Sequence, residues 1–277
     1  MPPSPWSHVR SNGVADDVDF EIKGQELQFV EIELDPGESA VAEAGAMVWK
    51  DAAIGMTTVF GDGRAGETTG GFMGKLLGAG KRLVTGETLF TTVFTHNGSG
   101  KARVAFAAPV PGTILPIKLD SVDGTLICQK DAFLAAVRGV QMGIFFQRKV
   151  MTGLFGGEGF IMQRLDGDGW VFVQMGGTVI ERTLAPGEEL HIDTGCVAAF
   201  TAGVEFDIMA AGGVKTMLFG GEGLFLARLR GPGRVWIQSL PFARLAGRVL
   251  AMASPVGGQN RGEGSLLGGL GNLLDGD

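Results

Sequence analysis

The chain has 277 residues, of which 45% are hydrophobic and 19% charged, with a formal net charge of −7. No apolar run reaches the roughly 18 to 20 residues of a membrane-crossing helix. Two cysteines are too few for a disulfide framework, and the negative balance argues against nucleic acid as a partner.

Taken from the start, Met1 to Gly13 contains Pro2, Pro3 and Pro5 but neither a secretory pattern nor an Arg-rich transit pattern, so a cytoplasmic location is expected. Asp16 to Glu43 then holds ten acidic residues and one base, Lys23, whereas Leu224 to Gly262 holds six arginines and no acid. Such blocks are ordinarily solvated faces; the sharper reading is that the two ends pair within or between subunits. The 47 glycines lack the triplet period of collagen and separate short β-branched or aromatic stretches. That pattern predicts many short strands joined by tight turns.

Self-comparison gives the clearest signal. Leu154 to Gln174 and Leu218 to Gln238 align without a gap and share 12 of 21 residues, beginning with Leu-Phe-Gly-Gly-Glu-Gly and ending at Gln174 and Gln238. The spacing predicts a repeated hairpin: a strand over Phe160 to Leu165, a turn at Asp166-Gly167-Asp168-Gly169, and a returning strand over Trp170 to Gln174. A weaker third copy lies upstream, with Gly86-Glu87 before Leu89 to Phe94, a turn from His96 to Gly100, and a return over Arg103 to Ala107. A second motif, Leu34-Asp35-Pro36-Gly37-Glu38 with Gly45, recurs as Leu184-Ala185-Pro186-Gly187-Glu188 with Gly195, and Pro then Gly sets a turn.

These marks divide the chain into β repeats over residues 18 to 110, 111 to 177 and 178 to 240. The first carries a Gly-rich insertion, 61 to 85, that places Phe72, Met73, Leu76 and Leu77 beside Lys75, Lys81 and Arg82. This insertion is expected to be an exposed interaction loop or a subunit contact. Residues 241 to 254 have helical spacing behind Pro241, and 255 to 277 form a Gly-rich tail bearing Leu266, Leu267, Leu270, Leu273 and Leu274.

Candidate chemistry is sparse. His8, His96 and His191 are the three histidines, none in a metal-ligand spacing, so no metal and no cofactor are expected. Aligning the repeats sets Cys128 opposite Val41 and Cys196 opposite Ala46, which are core positions where a thiol is inert. The Gly-Gly-Glu-Gly segments lack the Lys-Ser/Thr of a phosphate loop and precede strands. Glu87, Glu158 and Glu222 fall at one repeat position; as a set they would bind a cation or an arginine, and singly they would accept turn amides. No catalytic residue is assigned.

Ala44-Gly45-Ala46-Met47-Val48, Lys81-Arg82 to Gly86-Glu87 with Phe90 and Phe94, Gly220-Gly221-Glu222-Gly223, and Val235-Trp236-Ile237-Gln238 carry a family resemblance over roughly residues 18 to 250. The chain resembles the mitochondrial biogenesis factor-like family named for altered inheritance of mitochondria, with domains like those of the tryptophan-RNA-binding attenuation protein (TRAP). The resemblance implies an all-β fold of three related TRAP-like or short double-stranded β-helix units around a pseudo-threefold axis, and a homotrimer. It implies a link to mitochondrial membrane organisation in eukaryotic members, and no reaction. The expectation is a non-catalytic scaffold acting at a protein or anionic membrane surface, soluble or peripheral to it; the alternative is a small-molecule-binding module or enzyme with a pocket between repeats.

Overall fold

The computed structural model describes residues 15–60, 90–148, 160–210 and 225–252. After a leading strand β1 (Asp19–Lys23), a first set of six comprises β2 (Phe29–Leu34), β3 (Ser39–Glu43), β4 (Met47–Lys50), β5 (Ile54–Phe60), β6 (Phe90–His96) and β7 (Ala102–Ala107). A second set follows: β8 (Gly112–Lys118), β9 (Thr125–Gln129), β10 (Phe133–Val137), β11 (Gln141–Arg148), β12 (Phe160–Asp166) and β13 (Trp170–Gly176). A third runs through β14 (Val179–Leu184), β15 (Glu189–Asp193), β16 (Val197–Thr201), β17 (Glu205–Ala210), β18 (Phe225–Arg230) and β19 (Gly233–Gln238), and the helix α1 (Phe242–Met252) closes the described chain. The fold is all-β, its ladders antiparallel, with a short C-terminal helix.

Strand order shows how the sets interlock. One six-stranded sheet runs β5-β6-β3-β10-β13-β8 and the other β11-β12-β9-β16-β19-β14, so the second is the first with every strand number raised by six. The remaining sheets, β1-β2-β7-β4 and β15-β18-β17, contain the two halves of the same order, β4-β7-β2 and β17-β18-β15. Each six-stranded sheet is therefore shared, three strands from one set and three from the next, joined through β3·β10 and β9·β16. Register agrees in detail. A bulge interrupts β4 between Met47 and Trp49, β10 between Phe133 and Ala135, and β16 between Val197 and Ala199, each against its own partner β7, β13 or β19.

This arrangement corrects the expected hairpins. β12 pairs with β11 and β9, whereas β13 pairs with β8 and β10, so the two strands flanking Asp166 to Gly169 lie in different sheets. The same holds for β6 and β7, and for β18 and β19. The turn is an arch between layers. The reason lies in edge pairing: β13 is bonded on one edge by β8 and on the other by β10, which leaves no edge for β12. The ladder also moves two positions. His96 ends β6 and is buried, although a turn was expected there, and Cys128 takes the place of Ala42 rather than Val41, because Ala199 faces Cys128 as Ala135 faces Ala42.

Two hydrophobic clusters hold the layers. The larger joins Ile32, Val104 and Phe106 to Phe94, Phe133 and Phe172, with Phe94 and Phe106 edge-to-face at 5.0 Å. The smaller is built on Phe160, Phe200, Leu229 and Val235, and Phe206 stacks on Phe200 at 5.3 Å. Each such fully buried ring contributes about 2 to 3 kcal/mol by leaving water. No helix among the described residues is long and apolar enough to cross a membrane.

Candidate functional site

Three short segments, Glu43 to Met47, Gln129 to Phe133 and Asp193 to Val197, carry the chain from β3 to β4, β9 to β10 and β15 to β16. The last two are 3-10 turns. Beside them lie the ends of β7, β13 and β19 and the first turn of α1, and together these line a half-open cavity of about 440 Å³.

Its polar end is made by glutamines. Gln174 Nε2 donates to the Asp131 carbonyl at 2.9 Å, and Gln238 Nε2 donates to the Gly195 carbonyl at 3.0 Å. Asp131 and Gly195 each stand two residues before the first bulge residue, Phe133 or Val197, so one clamp is made twice. Gln238 is fully used: its Nε2 also reaches Gln129 Oε1 at 3.2 Å, and its Oε1 accepts from the Gly176 amide at 3.0 Å. Gln174, only 4% exposed, is not; among the described residues its Oε1 accepts no hydrogen bond.

The register gives the physical reason. Gly176 stands two residues beyond Gln174. In the first set Ala107 holds the place of Gln174, since Phe106 faces Met47 as Val173 faces Phe133. Two residues beyond Ala107 is Pro109, which has no N–H to give. Ala107 also has no amide side chain to fill the space, and its backbone N–H bonds to the Ala46 carbonyl at 2.9 Å instead. Proline and alanine in one set thus leave Gln174 Oε1 buried and without the backbone donor that Gln238 Oε1 has.

The residues singled out by sequence are placed differently. Phe72, Met73, Lys75, Leu76, Leu77, Lys81, Arg82, Glu87, Glu158 and Glu222 lie outside the described residues, in the connections β5 to β6, β11 to β12 and β17 to β18. The strands entering those connections are described: β5, β11 and β17 each end a sheet and expose Met56 (49%), Phe145 (43%) and Met209 (37%). Cys128 is buried, and burial, with the charge of Glu43 adding to it, pushes its thiol far above the ordinary range. His96 Nδ1 lies 3.1 Å from the Leu34 carbonyl, and exposed His191 is 2.7 Å from Glu189. No group of three His, Cys, Asp or Glu side chains able to hold a metal occurs among the described residues. Sequence reading missed the cavity. Its one visible trace was that both aligned copies end on glutamine.

The family model for mitochondrial biogenesis AIM24 matches residues 20–240. The chain belongs to the mitochondrial biogenesis AIM24 family. An uncharacterized protein of Streptococcus pyogenes serotype M6 is 29% identical over 228 residues, covering 81% of this chain and 86% of the relative. The crystal structure of protein SPYM3_0169 from Streptococcus pyogenes is similar with a TM-score of 0.66 and 25% identity, covering 85% of this chain and 99% of that one. AIM24 membership and this likeness agree with the all-β architecture.

Proposed function

We propose that this AIM24 family member is a non-catalytic interaction protein: a cytoplasmic homotrimeric scaffold, each chain presenting three TRAP-like β units about a pseudo-threefold axis, that works at a protein or anionic membrane surface. One observation carries the reading. The edge strands β5, β11 and β17, six strands apart in chain order, expose apolar side chains at Met56, Phe145 and Met209. A sheet edge combines unpaired backbone groups with whatever side chains it shows, so an apolar edge is a template for another chain unless it is covered. A second copy of the chain is the occupant proposed.

Light scattering behind size exclusion tests this. The full chain should run at three times its monomer mass, and the Met56→Lys, Phe145→Lys, Met209→Lys triple variant should run as monomer with unchanged far-UV circular dichroism. A wild-type monomer, or a triple variant that keeps the trimer mass, overturns the reading. Flotation with anionic liposomes separates the two surfaces: a trimer that floats acts on lipid, and one that stays with the soluble fraction acts on protein.

A further inference from the structure

The strand plan is completed twice and left open once. β10 and β16 each pair with a strand of the preceding set, β3 or β9, whereas β4 ends the sheet β1-β2-β7-β4 and β15 ends the sheet β15-β18-β17. We infer that β4 and β15 of one chain are strand partners, whose open edges close reversibly into a third shared sheet through Trp49↔Ile192, Lys50↔His191 and Asp51↔Leu190. This goes beyond the scaffold reading and does not depend on it.

The backbone is set for that ladder. The bulges align Trp49 with Ala135 and Ala199, and Lys50 with Ala136 and Phe200. The pairings of β3, β9 and β15 with β6, β12 and β18 align His191 with Val41 and Ile127, and Ile192 with Ala42 and Cys128. Asp51, Val137 and Thr201 each accept at the carbonyl from the amide three residues on, so β4 ends in the same turn as β10 and β16. In an antiparallel ladder alternate residues turn their N–H and C=O to opposite neighbours. The Asp51 amide bonds to the Arg103 carbonyl at 2.9 Å, so Lys50 turns its groups away from β7, to the open edge. The Gly231 amide bonds to the Glu188 carbonyl at 2.9 Å, so His191, three residues on, turns its groups away from β18. Lys50 and His191 thus stand where Ala136 faces Val41 and Phe200 faces Ile127.

The side chains match as well. Opposed residues share a face, with their diagonal neighbours beside them. One face brings Trp49 to Ile192 and Leu190. The other sets Lys50, which has no ion pair among the described residues, against His191 with Glu189 and Asp193 on the diagonals. Place agrees too: Met47 and Val48 of β4 and Gly195, just beyond β15, line the same half-open cavity. Size accounts for the open edges. The closed ladders oppose Ala135 to Ala42 and Ala199 to Cys128, whereas this one must fit Trp49 beside Ile192. Arg244, 3.3 Å from Asp193, also holds α1 against the end of β15.

The test uses the full chain. By the same alternation Trp49 and Ile192 form a non-hydrogen-bonded pair, whose Cα separation suits a disulfide. Under mild oxidation Trp49→Cys with Ile192→Cys should therefore close a disulfide within one chain. Trp49→Cys with His191→Cys, whose side chains point to opposite faces, should react about tenfold more slowly. Cys128 and Cys196 are buried and stay out of the reaction. Trp49→Ala, which restores the alanine of the closed ladders, should slow amide exchange at Lys50 and His191 about tenfold. Denaturing electrophoresis separates links within a chain from links between chains; the latter show that a second copy supplies the strand, and overturn the inference. No disulfide, equal rates for the two cysteine pairs, or exchange unchanged by Trp49→Ala overturns it also. The exchange measurement keeps the test decisive if the cysteine variants do not fold.

Discussion

Glu38 and Glu188 show how single residues set the turns. Each sends Oε2 back to the amide three residues earlier, Glu38 to Asp35 at 2.8 Å and Glu188 to Ala185 at 2.9 Å. Between them Pro36-Gly37 and Pro186-Gly187 place glycine at φ +88° and +81°, the left-handed region that a turn with proline first requires at its next position. This motif was legible in the sequence because its cause is local. Glu188→Ala should cost about 1 kcal/mol in a urea titration, since it removes this hydrogen bond together with an exposed one from Arg182 at 3.1 Å. Asp166 makes a different kind of contribution. Burial alone would raise its carboxyl, but hydrogen bonds from Arg164 (2.8 Å) and Thr125 (2.7 Å), with the guanidinium charge, hold it below the ordinary range. A carboxylate depressed on folding lends stability that is complete above the ordinary aspartate range and disappears as pH falls through the folded value. Asp166→Asn should therefore flatten the acid limb of stability against pH, measured by urea midpoints from neutral pH down to pH 3. An unchanged limb would show that Asp166 has no share in it.

At the scale of elements, the strands were readable and their partners were not. Alternation and turn residues located β12, β13, β18 and β19 to within two residues, and Pro241 with its periodic followers located α1. Pairing depends on non-local neighbours, so the arch at Asp166 to Gly169 carried the same glycines as a hairpin and was read as one. The close approach of β13 to the chain before α1 is an example of what only tertiary structure reveals. The Gly176 carbonyl accepts from the Leu240 amide at 3.0 Å, and a Cβ on Gly176 would collide with the Leu240 carbonyl. Gly176→Ala should therefore destabilise by about 2 kcal/mol, as overpacking does. It should also break the bond from the amide at position 176 to Gln238 Oε1, visible as loss of amide-exchange protection at that position.

For the molecule as a whole, composition and self-similarity announced an all-β chain, and the quoted motifs announced the family. The charge blocks, in contrast, resolve within the chain only once the fold is known. Asp16 pairs with Arg138 at 3.1 Å, and Glu33 with Lys101 and Arg103. Three of the late arginines have other partners: Arg234 with Glu181, Arg244 with Asp193, and Arg228 with Asp207. Asp16, Glu33, Arg228, Arg234 and Arg244 thus find their partners outside the opposite block, a distribution that no count along the sequence reveals. The cavity was invisible for a related reason, since it arises from the departure of one set of strands from the others at Ala107 and Pro109.

That departure has a numerical consequence. Three identical polypeptides meeting at one centre must alter every junction together or none. A single polypeptide carrying the strand plan in series escapes that rule, because each stretch of its gene mutates alone. Ala107 and Pro109 stand where the other sets have Gln174 with Gly176 and Gln238 with Leu240, so one junction in three lacks the glutamine clamp.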